Sequence, residues 1–299
     1  MTARGGAVPA SIAWRPLFTH LRLHYQLLFL SPLFAWGFLL GGATPSWRAL
    51  LGFLSFHVCL YGGITAYNSY YDRDEGPVGG LKVPPPVTEP LLGFSLSIQA
   101  LGFVLAGWVS TAFGLLYLLV MVLSVAYSHP RFRWKARPVL SLFVVALGQG
   151  AVGFAGGWLC GADPPRPFYP PLDGALGMAG AALITTGFYP LTQLYQIEED
   201  RTRGDRTFAV AFGARASFRF SLTLLLLGGA CLLPVVHNRF GAWDAALFAS
   251  AFLALLAAIA VWGQRFAQHV DQNFRTLHRL QAAMSLGILG YIGLRLWVS

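Results

Sequence analysis

The stretch ALLGFLSFHVCLYGGITAYNSYYDRDEG, Ala49 to Gly76, combines the two properties that decide how this chain folds. The run 49–67 is nearly all apolar, and crossing a bilayer takes roughly 20 such residues in a helix. It gives way to Asn68, Asp72, Arg73, Asp74 and Glu75. Charges of this kind are costly inside lipid, so the stretch predicts a membrane helix with a polar cluster at its mouth.

The rest of the chain repeats the theme. Of 299 residues, 56% are hydrophobic and 11% charged, with a mean hydropathy of +0.57. Soluble domains carry about 25% charged residues. Apolar runs at 18–40, 49–67, 91–109, 112–128, 138–160, 174–194, 217–236, 243–263 and 280–298 predict an all-α, polytopic membrane protein with nine transmembrane helices, forming one domain over 1–299. If the N-terminus is cytoplasmic, only Arg48, Arg166, Arg239 and Arg295 of the 21 Lys and Arg fall on the opposite side. That bias follows the positive-inside rule. It predicts a multi-pass protein of a bacterial inner membrane, with its polar loops facing the cytoplasm. The net charge of +9 then needs no nucleic acid; anionic membrane lipid and an anionic substrate account for it. Residues 1–17 lack the apolar core of a cleaved leader. Cys59, Cys160 and Cys231 are far apart and read as small core residues.

Eight of the 12 acids sit in two loops: Asp72, Asp74, Glu75 and Glu89 after the second apolar run, and Glu198, Glu199, Asp200 and Asp205 after the sixth. At an offset of 128, NSYYDRDEG lies over QIEEDRTRG, matching Asn68 with Gln196, Asp72 with Asp200, Arg73 with Arg201 and Gly76 with Gly204. The shared pattern predicts two four-helix-like pseudo-repeats around a central apolar chamber, an arrangement membrane folds use to place a site between their halves. Residues i and i+4 share one helix face. Asn68 with Asp72, and Gln196 with Asp200, therefore offer paired oxygen ligands if the helices continue past the membrane edge. Mg²⁺ takes such ligands together with substrate phosphate. The candidate metal set is Asn68, Asp72, Asp74, Glu75, Gln196, Glu198, Glu199 and Asp200. Interleaved cations, Arg73, Lys82, Arg201, Arg203 and Arg206, suit phosphate oxygens. Solvated surface ion pairs are the bland alternative. Parallel spacing in two loops on one side argues against it. A third loop on that side, YSHPRFRWKARP at Tyr127–Pro138, adds Arg131, Arg133, Lys135 and Arg137 as a phosphate clamp.

With these residues in view, the chain resembles the UbiA-type superfamily of intramembrane prenyltransferases. The resemblance covers essentially the whole chain: nine helices, acidic motifs after helices 2 and 6, and a basic loop after helix 4. IEEDRTRGDRTFAVAFG, Ile197 to Gly213, is similar to the chlorophyll-synthase and menaquinone-branch form of the second motif. The resemblance implies an isoprenyl diphosphate held through Mg²⁺ between the motifs, ionisation to an allylic cation in the apolar chamber, and capture by a hydrophobic acceptor. It implies Asp72, Asp200, Asn68 and Lys82 as the catalytic set. It implies Arg22, Lys82, Arg131, Arg133, Lys135 and Arg201 as diphosphate-binding residues. Arg22 resembles a basic residue that the family keeps near the diphosphate, and Tyr70, Tyr71, Tyr127, Tyr189 and Tyr195 lie near the expected cation.

The chain departs from the family pattern at Ser69, Gly76 and Gln196, where acids are common. Those departures keep a second possibility open, a relative that binds polyprenyl lipid without catalysis. A transporter is the other alternative, but it would need charged groups at mid-membrane depth. The central parts of the later runs have almost none; His57 is the clearest exception.

Overall fold

The computed structural model describes residues 14–163 and 170–298, and among them every extended element is helical. The long segments are α1 (Trp14–Gly41), α2 (Trp47–Asp72), α3 (Pro90–Val109), α4 (Thr111–Ser128), α5 (Pro138–Cys160) and α6 (Leu172–Thr192). There follow a short α7 (Ile197–Thr202), then α8 (Phe208–Phe240), α9 (Ala242–Gln264) and α10 (Val270–Val298).

Their ends follow from local chemistry. Ser46 caps α2 by accepting from the Ala49 N–H at 3.1 Å, and Ser110 caps α4 by accepting from the Phe113 N–H at 3.1 Å. Each cap satisfies a backbone donor that the first turn leaves free. Pro190 sits in the last turn of α6, where its missing N–H weakens the ladder. The helix stops two residues later. Gly213, at φ 78°, bends α8 near its start, a conformation that costs glycine little.

Helices α1, α2 and α5 each contain a π-helical stretch at Gln26–Leu30, Ser55–Tyr61 and Val145–Ala151. α1 and α5 cross very closely. A methyl built on Gly157 would collide with the Phe34 carbonyl, and one on Gly37 with the Phe154 carbonyl. Small residues at such crossings let backbones meet where lipid supplies no hydrophobic drive. Large apolar side chains point outward instead, such as Trp108, Leu115 and Leu253, as expected of a surface solvated by hydrocarbon.

Eight of the described helices, α1–α6, α8 and α9, are long and apolar enough to span a membrane. The ninth expected span, 280–298, falls in the later part of α10. The start of that helix is polar, with Asp271, Asn273, Arg275, His278 and Arg279. Reporter fusions after Arg206 and after Ser299 test whether it crosses: opposite sides are expected, and the same side would reduce the spans to eight. Arg4 and Arg166 of the orientation argument lie outside the described residues.

The helices other than α3 and α7 surround a cavity of about 770 Å³, with α7 and its flanking loops at one end. The two loops that echo each other in sequence differ in form. Asn68 and Asp72 do lie on one continuous helix. After the second, Gln193–Gln196 break the chain, and Asp200 sits on the separate α7. The echo is therefore one of spacing, and helix continuity holds only in the first half.

Candidate active site

Four aspartates from separate pieces of chain meet at one end of the cavity. Asp72 ends α2, Asp74 follows in the loop, Asp200 is on α7, and Asp205 lies between α7 and α8. All four line the cavity. Three cations interleave with them. Lys135, on a short helical turn after α4, pairs with Asp72. Arg133 forks onto Asp205, with Nε donating at 2.7 Å and Nη2 at 2.8 Å. Arg203 is the hub, donating to Asp74 at 2.5 Å, to Asp200 at 3.0 Å and to the Asp72 carbonyl at 3.2 Å. Thr207 donates to the other oxygen of Asp200 at 3.1 Å. A hydrogen bond from the Glu75 N–H to Glu199, at 3.1 Å, ties the two acidic loops together.

Arg22 completes the mouth. It interrupts α1 at φ 50°, is buried, and donates through Nη2 to Ser69 at 2.8 Å. The serine found where the family favours an acid therefore accepts from a buried guanidinium. Asn68 accepts from Ser128 at 2.9 Å and, like Gln196, lines the cavity.

Other residues named from sequence lie elsewhere. Lys82 is exposed and pairs with Asp271 at 3.2 Å. Arg201 and Glu198 pair with each other on the surface at 2.7 Å. Arg131, Glu75 and Gly204 are exposed, and Glu199 and Gly76 are half-buried at the loop junction. None of these lines the cavity. Within the cluster the structure places Arg203, one of the cations named from the sequence, and Asp205, one of the acids of the second loop. The signal for Arg203 was present: three residues from Asp200 in a helix, it shares that face, whereas Arg201 points away. Asp205 had no comparable signal, because its position depends on how the chain leaves α7. Of the five tyrosines, Tyr127, Tyr189 and Tyr195 line the cavity, and the first two share a hydroxyl contact of 2.7 Å.

Magnesium fits this donor set. No group of three or more His, Cys, Asp or Glu among the described residues is already arranged around a metal-sized point; the carboxylates are drawn to Arg and Lys instead. Two features nevertheless point to a further cation. Asp74 Oδ2 is buried without a donor. Burial pushes the Asp200 carboxyl up to about 6, although Arg203 and Thr207 pull the other way. The donors are all hard oxygens, the kind Mg²⁺ prefers.

Beyond the cluster the lining is mainly apolar, with Gln149, Thr185, Gln281 and Ser285 among its polar exceptions. Of the cavity's side chains, Asp244 at the far end is the one charged group outside the mouth. A charged mouth on a largely apolar chamber can hold an ionic head group and its hydrocarbon tail together.

Comparison with known proteins agrees with this geometry. The model of the UbiA prenyltransferase family matches residues 29–283. A lycopene elongase/hydratase of Haloferax volcanii is 33% identical over 129 residues, covering 42% of this chain and 38% of that protein. One of Corynebacterium glutamicum is 26% identical over 219 residues, covering 69% of this chain and 72% of that protein. Among solved structures, a UbiA homologue of Archaeoglobus fulgidus bound to GPP and Mg²⁺ superposes with a TM-score of 0.65 at 20% identity, over 93% of this chain and 99% of that one. A digeranylgeranylglyceryl phosphate synthase superposes with a TM-score of 0.64 at 16% identity, over 93% and 97%. These superpositions show a shared fold.

Proposed function

The chain belongs to the UbiA prenyltransferase family, and from that premise we propose that it transfers an isoprenyl group from an isoprenyl diphosphate to a hydrophobic acceptor within the membrane, with Mg²⁺ as cofactor and the site facing the cytoplasm. One observation carries the reading: a buried cluster of aspartates and cations closes one end of an apolar cavity of about 770 Å³.

Each part has a task. Asn68, Asp72, Gln196 and Asp200 would hold the metal, with Asp74 and Asp205 beside them. When bound, Mg²⁺ would neutralise charge growing on the leaving diphosphate. Lys135, Arg203 and Arg22 face the same space and offer charge-assisted hydrogen bonds to phosphate oxygens. A bare diphosphate would meet four carboxylates, so these residues accept it best with compensating cations. Departure of the diphosphate leaves an allylic cation. The rings of Tyr127, Tyr189 and Tyr195 present electron-rich faces that favour it. The apolar walls keep bulk water out and accommodate both tail and acceptor.

The relatives' names point to a polyene acceptor of the lycopene type. An unsubstituted hydrocarbon needs no polar anchor, and the cavity beyond its mouth has few to give. The test is purified protein with isoprenyl diphosphates of several lengths and lycopene, with and without Mg²⁺. Mg²⁺-dependent diphosphate release and a prenylated lycopene mass are expected. No release with any diphosphate would refute the activity; release without that mass would refute only the acceptor.

A further inference from the structure

α8 does not begin as one straight helix. Phe208 contacts Phe212 and Phe220, each with ring centres 4.8 Å apart. Twelve residues of continuous helix would hold Phe208 and Phe220 about 18 Å apart. The bend at Gly213, φ 78°, therefore folds Phe208–Phe212 back against the helix that follows. Phe208 is buried in this fold, whereas Phe212 is 55% exposed.

The folded-back segment is fastened to the mouth of the cavity. Thr207 donates to Asp200 at 3.1 Å, and the Ala209 N–H donates to Gln193 Oε1 at 3.1 Å. Beyond the bend, Arg215 and Arg219 are exposed. Four residues apart, they share one face of α8. Phe218 packs on Trp262 and Phe266 of α9, with ring centres 4.9 and 5.6 Å away. That contact brings the exposed Arg265 to the same rim. Among the described residues none of these three arginines forms an ion pair. The nearest acids along the chain, Asp205 and Asp271, pair with Arg133 and Lys82 instead. Neither Phe212 nor any of the three arginines lines the cavity.

Unpaired cations beside an exposed ring, at the mouth end of a membrane bundle, match one partner by charge and by polarity. The cations meet a lipid phosphate and the ring meets the first carbons of an acyl chain. A zwitterionic lipid brings that phosphate with a cation attached, which three arginines repel. An anionic lipid brings it alone.

We propose that Arg215, Arg219 and Arg265, with Phe212, bind the head group of an anionic phospholipid, and that the bound lipid steadies the segment Thr207–Phe212 and with it the Thr207–Asp200 bond. The assignment concerns the outer surface of the bundle and does not depend on the prenyl-transfer reading.

The experiment uses the full chain in nanodiscs of phosphatidylcholine, alone or mixed with phosphatidylglycerol. Lipid retained through detergent extraction is counted by mass spectrometry, and amide hydrogen exchange is followed over residues 205–213. The parent should retain phosphatidylglycerol over phosphatidylcholine, and protection of 208–212 should rise when phosphatidylglycerol is present. Arg215→Gln/Arg219→Gln should lower that retention about 25-fold, about fivefold for each cation removed beside an anionic surface, and abolish the gain in protection. Both side chains are exposed and unpaired, so the fold is secure. Arg275→Gln/Arg279→Gln is the control, because these arginines are also exposed and four residues apart, on α10. It removes the same charge and should leave the preference within about twofold, as screened charges away from a site do. Equal losses in the two double variants would show that net charge alone draws the lipid, and would overturn the site. So would a parent that retains both lipids alike. Protection of 208–212 that does not respond to phosphatidylglycerol would overturn the link to Asp200.

Discussion

Asp72→Ala and Asp200→Ala each reduce Mg²⁺-dependent diphosphate release by about a thousandfold or more, the scale expected when a group that stabilises the leaving charge is lost. Both carboxylates face the cavity from different pieces of chain, Asp72 from the end of α2 and Asp200 from α7. Neither can replace the other. Asp72→Asn and Asp200→Asn refine the test, because each keeps the shape and one oxygen but removes the charge. They should remain as inactive as the alanine variants and elute as monodisperse protein in detergent. Near-parent release in both alanine variants would remove these residues from the site.

Arg203→Leu has the largest expected effect on stability. The guanidinium bonds to Asp74, Asp200 and the Asp72 carbonyl, and lies 3.6 Å from Asp205. Taking one partner from a buried ionic cluster costs roughly 3–5 kcal/mol, because the remaining charges stay buried and uncompensated. The variant should lose solubility in detergent on heating far sooner than the parent, a kinetic measure suited to proteins that unfold irreversibly. Millimolar Mg²⁺ should restore part of the difference, since it supplies positive charge to the same oxygens. Arg201→Ala is the control: its exposed pair with Glu198 is worth about 0–1 kcal/mol. Equal half-lives for the Arg203 and Arg201 variants would show that the cluster is not held by its hub.

The membrane fold was legible because lipid leaves a chain few choices. Apolar runs such as 49–67 and 243–263 correspond to α2 and α9 with shifts of a few residues at their ends. The place of the acidic cluster was legible where residue type limits position, as with Asp72 and Asp200 at the ends of apolar runs, which both line the cavity. What depended on chain direction was not. DRTRGDR offers three arginines; spacing puts Arg203 on the face of Asp200, but only the fold shows that this face turns toward Asp74. Lys82 and Lys135 were equal candidates by charge. Only the fold of the two loops puts Lys135 against Asp72 and leaves Lys82 on the surface beside Asp271.

Arg22 and Arg133 both hold their backbones in the left-handed region, at φ 50° and 43°. For a residue with a side chain this conformation costs on the order of 1 kcal/mol or more, and glycine would avoid the cost. Arg22 also keeps a buried Nε without an acceptor. By the standards of durability alone, these two positions are poorly filled. A lineage selected in the laboratory only for survival on heating should drift to glycine or asparagine at Arg22 and, if Arg22 binds the diphosphate as proposed, lose affinity for it as it does so. Selection for turnover would hold the arginine in place under the proposed role, and the difference between the two lineages would record how much ruggedness that role costs.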